Sequence, residues 1–164
     1  MAWSTTAPEL PSGSAWEQEK SVSGRANHWS LSGKLYIARL SGRQFAVKAE
    51  LTSGNGSYGT YYPPEKWKLR CDVGDVTGTE DTSFDVTKGT TTFYFVGEAG
   101  ESVNITVKVG GVGAAVAVQT ATFTAPALFG DILYLNVNGA AKQVTHVLLN
   151  VNGTAQEALV KANP

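Results

Sequence analysis

The stretch HWSLSGKLYIARLSGRQFAVKAELT, which runs from His28 to Thr52, alternates apolar and polar residues on both sides of the tripeptide SGR. Alternation with a period of two is typical of a β-strand with one buried face, and a short Gly-containing segment between two such runs is typical of a hairpin turn. In the second run the apolar residues all fall on one face, namely Phe45, Val47, Ala49 and Leu51. The stretch therefore predicts two adjacent antiparallel strands.

Strand-like runs continue after this pair, with turn signals about every 8–12 residues. Pro63 and Pro64 exclude a central strand just before the next run. The later runs are KWKLRCDV at 66–73, TSFDVT at 82–87, TTTFYFVG at 90–97, SVNITVKVG at 102–110 and AAVAVQTATFTA at 114–125. We therefore expect an all-β fold in which residues 28–127 form an antiparallel β-sandwich, either Ig-like or jelly-roll.

Residues 1–27 have the composition of an irregular, extended N-terminal arm. Pro8 and Pro11 disfavour a helix there, and Ser, Thr and Gly surround them. Trp3 and Trp16 are unusual in such a segment, because an exposed indole ring is costly to leave in water. We expect both tryptophans to dock on a protein surface, either on the same subunit or, as we favour, on a neighbouring one.

Residues 128–164 contain one unit twice. The sequence LNVNG begins at Leu135 and again, fourteen residues later, at Leu149. Asn-Gly between apolar strands is the strongest short signal for a hairpin, because both central residues of a type I′ turn have positive φ. Each copy is therefore expected to be a β-hairpin, and the two Asn-Gly pairs are candidate assembly contacts: Asn138, Gly139, Asn152 and Gly153. A lone hairpin is only marginally stable in water, so we expect the copies to pack on each other or across subunits.

The tandem sequence LYLNVNGAAKQV…VLLNVNGTAQEA resembles the paired short repeats that end many structural proteins of tailed bacteriophages. The resemblance covers about the last 30 residues, and it departs from the usual pattern at Asn136 and Asn150, which replace glycine. The preceding stretch at 83–111 resembles Ig-like domains of phage virions more weakly. The two resemblances together imply a virion protein with an Ig-like sandwich.

Composition and charge restrict the classes of function. Charged residues make up 16% of the chain, below the usual quarter or so, and the formal net charge is −1. Lysines and arginines are scattered, so the chain offers no basic surface to nucleic acid. The N-terminal residues do not form a secretory signal, and no run reaches the ~18 apolar residues of a membrane span. We expect a protein that is made in the host cytoplasm and resides in a virion.

The residues that usually carry chemistry are not arranged for it. His28 and His146 stand far apart in strand-like runs, which is unlike a zinc or catalytic spacing. Cys71, the single cysteine, is interpreted as a small buried hydrophobe. GGVGAAV from Gly110 is interpreted as a glycine-rich hairpin or a close backbone approach between subunits, because a strand-like run follows it where a dinucleotide loop needs a helix. We expect no catalytic residues, no metal and no cofactor.

An acidic stretch keeps one alternative open, a structural cation. Its members are Asp72, Asp75, Glu80, Asp81 and Asp85. Their spacing does not match the order of ligands in an EF-hand loop. Ordinary solvated carboxylates are the alternative that we favour.

An aromatic cluster is the candidate ligand-binding site. Tyr58, Tyr61, Tyr62 and Trp67 surround a loop rich in Gly and Pro. Aromatic rings beside such a loop are common in surfaces that bind sugars or protein partners. The competing interpretation places Trp67 in the core and the tyrosines over the end of the sandwich.

The sequence therefore predicts a non-enzymatic structural component of a bacteriophage particle, such as a decoration, fibre, tail or collar protein. Its expected partners are copies of itself and other virion proteins, without nucleic acid or membrane. The alternative function is a module that binds a glycan or a host receptor, with a cell-surface glycan as partner.

Overall fold

The computed structural model describes residues 2–113 and 116–128 in full. Beyond them it describes the backbone of four strands, β9 (Tyr134–Val137), β10 (Ala140–Gln143), β11 (Val147–Val151) and β12 (Thr154–Ala158). The described residues form strands, turns and loops, with no helix among them and hence none that could cross a membrane. The prediction of an all-β fold is confirmed.

Two antiparallel sheets pack face to face as a sandwich. The larger sheet has five strands, which are β1 (Trp3–Ser4), β2 (Glu17–Arg25), β3 (Trp29–Arg39), β4 (Gln44–Asn55) and β6 (Gly89–Glu98), in the order β1-β6-β4-β3-β2. The smaller sheet has three strands, which are β5 (Trp67–Val73), β7 (Asn104–Gly111) and β8 (Gln119–Thr124), in the order β5-β7-β8. The two strands predicted between His28 and Thr52 form the continuous hairpin β3–β4, which pairs from Trp29↔Asn55 to Arg39↔Phe45.

The alternating residues of the two inner faces form one core. Phe45, Val47, Ala49 and Leu51 of β4 are all fully buried, as the sequence predicts. Rings bridge the two sheets, because Trp67 of β5 lies 5.9 Å from both Trp29 of β3 and Phe93 of β6 between ring centroids. The smaller sheet contributes branched and aromatic side chains to the same core, among them Leu69, Ile105, Val107, Val109 and Phe123.

The structure corrects the prediction for residues 1–27. This segment is extended, but it is not an irregular arm, because Glu17–Arg25 pairs along β3 and Trp3–Ser4 pairs with Phe95 and Tyr94 of β6. Within the described part of this segment, residues 2, 5–16 and 26–27 lie outside strands. The five-stranded sheet thus begins well before residue 28.

A second correction concerns TSFDVT at 82–87, which forms no strand. Its backbone makes single contacts to β5 and to the segment before it, through Trp67 N–H to Phe84 O at 2.8 Å and Val86 N–H to Glu65 O at 3.1 Å. Phe84 and Val86 nevertheless face the core, and the Phe84 ring lies 5.0 Å from that of Phe93. The alternation in this run reflects burial of a loop on the sandwich and not membership of a sheet.

The C-terminal module consists of two hairpins with the same register. β9 pairs with β10 from Val137↔Ala140 to Tyr134↔Gln143, and β11 pairs with β12 from Val151↔Thr154 to Val147↔Ala158. In each hairpin, two residues connect the innermost pair, and in both hairpins they are Asn-Gly. The prediction of two repeated hairpins is confirmed for the paired strands, while Asn138, Gly139, Asn152 and Gly153 themselves lie outside the described residues.

Candidate functional site

Two loops meet at the end of the sandwich where β2 turns into β3 and β4 leads to β5. Three backbone hydrogen bonds hold them together, from Ser57 N–H to Ala26 O at 2.8 Å, Tyr58 N–H to Asn27 O at 2.9 Å and Tyr62 N–H to His28 O at 2.9 Å. These bonds act as a short ladder between the turn and the loop, so the loop has a defined position.

Glycine is required where these loops touch. A Cβ atom on Gly56 would lie 2.3–2.4 Å from backbone atoms of Asn27 and His28, which is closer than any side chain tolerates. Gly111, at the end of β7, stands similarly close to the same end, because its Cβ would lie 2.2 Å from Pro64 Cγ. Gly111 thus lies tightly against side chains of its own chain, and the backbone approach between subunits predicted for the Gly110 stretch stays a prediction.

The loops present an aromatic surface, which consists of His28, Tyr58 and Tyr62. The Tyr58 and Tyr62 rings lie 5.3 Å and 5.5 Å from the His28 ring and stand nearly perpendicular to it, at 82° and 77°. The tyrosines are 66% and 71% exposed, respectively. The Nδ1 atom of His28 lies 2.7 Å from Thr60 Oγ1, and this contact fixes the plane of the imidazole ring.

A cavity of about 280 Å³ adjoins the aromatic surface. The described residues that line it include no Asp, Glu, Lys or Arg, and they are Ala26, Asn27, His28, Trp29, Tyr62, Pro63, Pro64 and Gly113. Its lining combines apolar rings with a few polar groups, which is the usual composition of a small-molecule site.

Two of the four predicted ligand-binding aromatics do not belong to this surface. Trp67 is fully buried between the sheets, so it contacts core residues and not a ligand, and its assignment to the site is corrected. Tyr61 is half-buried, with its hydroxyl 3.0 Å from Ser53 Oγ, which also accepts a bond from Trp29 Nε1 at 2.6 Å. Tyr61 therefore supports the wall behind the site, while Tyr58 and Tyr62 remain as predicted members.

Sequence reasoning missed His28, which it treated only as an unpromising catalytic or metal residue. The predicted antiparallel pair of strands contained the signal, because the start of its first strand and the segment that leaves its second strand lie at the same end of the sheet. His146 lies outside the described residues.

The predicted assembly tryptophans lie on their own chain. Trp3 is buried, its ring centroid is 5.4 Å from that of Phe95, and its backbone N–H donates to the Asp81 carboxylate at 3.3 Å. This docking corrects the prediction that Trp3 anchors on a neighbour. Trp16 is half-buried, with its ring 6.0 Å from that of Tyr94 and 5.5 Å from Lys48 Nζ, and its contact with a neighbour stays a prediction.

The acidic stretch is distributed among separate partners. Asp72 lies 3.0 Å from Arg70 Nε and 3.1 Å from Lys108 Nζ, and Glu80 lies 3.1 Å from Lys68 Nζ. Asp81 accepts hydrogen bonds from the Ser83 N–H and hydroxyl. Within residues 2–113 and 116–128, no group of three or more His, Cys, Asp and Glu converges as metal ligands would, so the described carboxylates give the alternative of a structural cation no support.

Cys71 faces the core from β5, as predicted for a small hydrophobe. Burial raises the pKa of its thiol to about 12, with a smaller contribution from the charge of Asp72. The thiol therefore stays protonated and unreactive at neutral pH.

Comparison of the chain with protein-family models, with curated proteins and with solved structures finds no match in any of the three.

Proposed function

We propose that this chain is a non-enzymatic structural component of a bacteriophage particle, such as a decoration, fibre, tail or collar protein, and that it acts through subunit assembly. The observation that carries the proposal is the pair of hairpins β9–β10 and β11–β12, which repeat one register and one two-residue Asn-Gly connection. This is the unit whose sequence resembles the terminal repeats of phage structural proteins.

The energetics of a short hairpin support an assembly role. Each hairpin has strands of only four or five residues, and an isolated two-stranded hairpin is marginally stable in water. Among the described strands, each of these four pairs with one partner, so its other edge could bond to a further strand. Packing on equivalent hairpins of other subunits would stabilise both copies.

The sandwich supplies the rigid body of the subunit in this proposal. Its aromatic and branched side chains interdigitate between the two sheets, and a core of that kind resists deformation. The N-terminal segment is fastened to the same body by Trp3 and by β2. Partners of the subunit are then further copies of itself and other virion proteins.

The proposal is tested by purifying particles from the bacterium that carries the gene. Density-gradient fractions are analysed by quantitative mass spectrometry, before and after a wash in high salt. We expect the chain to sediment with intact particles at a fixed ratio to another particle protein. Recovery of the chain only in the soluble lysate, with none in washed particles, would contradict the proposal.

A further inference from the structure

We propose that the aromatic surface of His28, Tyr58 and Tyr62, together with the adjoining cavity, is a binding site for a neutral saccharide. The inference goes beyond the structural role and does not depend on it, because all the described residues of the site belong to a single folded chain.

Exposure of the rings is the first argument. Tyr58 and Tyr62 are 66% and 71% exposed although they are large and partly apolar. Exposed apolar groups that cluster on one surface usually mark a contact with a ligand or partner. Here both rings face the same imidazole, so they form one surface and not two isolated side chains.

The fixed geometry of the loops is the second argument. The ladder from Ala26, Asn27 and His28 holds the backbone at residues 57, 58 and 62, and Thr60 holds the imidazole. A ligand that binds preformed groups avoids much of the entropy that ordering a loop would cost. The aromatic surface is therefore preformed before a ligand binds.

The chemistry of the lining selects the ligand class. A pyranose ring has a C–H face that packs on an aromatic ring and a rim of hydroxyls that needs hydrogen-bond partners. Tyr58 and Tyr62 offer ring faces and hydroxyls, and Asn27 offers an amide. Because Thr60 occupies Nδ1 of His28, Nε2 is the ring nitrogen available to a sugar hydroxyl.

The size of the cavity and the charge of its lining restrict the class of ligand further. The described lining of the cavity contains no Asp, Glu, Lys or Arg, and the Arg25 guanidinium at the same loop donates to Gly56 O at 3.1 Å, so the cavity itself offers no counter-charge to a sialic acid or a sulfated sugar. A cavity of about 280 Å³ lies just below the usual volume of ligand sites, about 300–1,000 Å³, and suits about one sugar ring. Proline-rich peptides also dock on aromatic residues, but in extended grooves, whereas the site here adjoins a cavity that Pro63 and Pro64 help to line.

The test uses the full chain and three sets of probes, namely neutral mono- and oligosaccharides, sialylated or sulfated saccharides, and proline-rich peptides. Binding is followed by ligand-detected NMR and, for hits, by titration calorimetry. The variants are Tyr58→Ala, Tyr62→Ala and Tyr62→Phe, which keeps the ring. Val76→Ala is the matched control, because Val76 is also 71% exposed but lies on a loop of the smaller sheet. Thermal melts check that every variant folds.

We expect at least one neutral saccharide to bind, Tyr62→Ala to weaken it more than tenfold, Tyr58→Ala to weaken it several-fold, and Tyr62→Phe and Val76→Ala to change it less than threefold. Neutral saccharide binding that survives both tyrosine-to-alanine changes would overturn the site. Binding of only charged saccharides, of only peptides, or of no probe at millimolar concentration would overturn the ligand class.

Discussion

Arg39 is the residue on which one end of the sandwich depends. Its side chain is only 2% exposed, and its guanidinium donates to the carbonyls of Pro126, Arg43 and Ala99. These carbonyls belong to three different segments, after β8, between β3 and β4, and after β6. Burial lowers the pKa of the guanidinium, and the charge of Glu101 partly opposes that effect. One buried cation thus joins three segments by hydrogen bonds that no apolar side chain could replace.

Replacing Arg39 by methionine should lower the free energy of unfolding by about 2–4 kcal/mol, because it leaves buried carbonyls without donors. Denaturant unfolding measures the change. Arg43→Met is the control, since the Arg43 side chain is exposed, and it should change stability by no more than about 0.5 kcal/mol. Equal stability of the two variants would contradict the role assigned to Arg39.

Asp72 gives the protein an acid-sensitive contact. Partial burial by itself raises the pKa of Asp72, but the Gly78 N–H, Lys108 and the charge of Arg70 outweigh burial, so the pKa lies below its ordinary value of 3.8. A carboxyl group with a lowered folded pKa stabilises the fold above its unfolded pKa. That stabilisation is lost as the pH falls through the lowered pKa.

Asp72→Asn should therefore cost about 1–3 kcal/mol of unfolding free energy at pH 7, because it removes charge-assisted hydrogen bonds. The difference from the wild type should shrink as the pH falls below about 4. Unfolding curves between pH 7 and pH 2.5 measure it. Asp85→Asn is the control, because the Lys66–Asp85 pair is exposed, and its effect should be small throughout. A difference for Asp72→Asn that persists unchanged into acid would refute the assignment.

At the scale of elements, β2 lies beside the edge of β8, and one of its side chains bonds to the backbone of that edge. Gln18 sits in the bulge between Glu17 and Lys20, with a positive φ of 53°. Its amide donates to Thr124 O at 2.8 Å and accepts from Thr124 N at 3.2 Å. Gln18 thus supplies the donor and the acceptor that a neighbouring strand would offer to the edge strand β8. The two sheets are linked there without a shared strand.

Gln18→Ala should expose the edge of β8 and raise the hydrogen-exchange rate of the Thr124 amide at least tenfold, with a loss of about 1 kcal/mol in global stability. NMR-detected hydrogen exchange measures both effects. Gln44→Ala, at an exposed glutamine of β4, should leave that amide unchanged. Protection of Thr124 in the Gln18 variant equal to that in the wild type would show that the side chain does not close the edge.

The same elements show how far the sequence predicts the fold. β3 to β8 follow from alternation, because each has one buried face and the period of two is then visible. The sequence does not predict β2, because Val22 is its only buried residue. An edge strand that is exposed on both faces shows no alternation of apolar and polar residues. Phe84 and Val86 instead lead to the prediction of a strand that is absent at 82–87, since a loop that buries alternate residues has the alternation of a strand without its pairing.

The sequence likewise predicts some residues of the candidate site and not others. Tyr58 and Tyr62 are predictable because they lie in a loop rich in Gly and Pro. Trp67 is near them in sequence but is the first inward-facing residue of β5, so it belongs to the core. His28 lies beside Tyr58 and Tyr62 because β3 and β4 are antiparallel. The number of residues between them in the sequence does not show this contact.

At the scale of the whole molecule, the two ends of the sandwich carry different groups of residues. One end carries the aromatic surface around His28, and the other end of β3 is fastened by Arg39. Two repeated hairpins follow the sandwich, and short hairpins of this length are stabilised mainly by what they pack against. The central claim is therefore that the chain functions as an assembled subunit, with assembly mediated by its repeated hairpins.

The most direct test of this claim is the mass of the full chain in solution, measured by sedimentation equilibrium over a range of concentrations. We predict a defined oligomer, at a multiple of 17.3 kDa, that persists at low micromolar concentration. We also predict that the double variant Gly139→Val/Gly153→Val shifts it towards monomer, since valine disfavours the positive φ that the sequence predicts at both turns. A monomer of 17.3 kDa at every concentration, or an oligomer that the double variant leaves intact, would contradict the account.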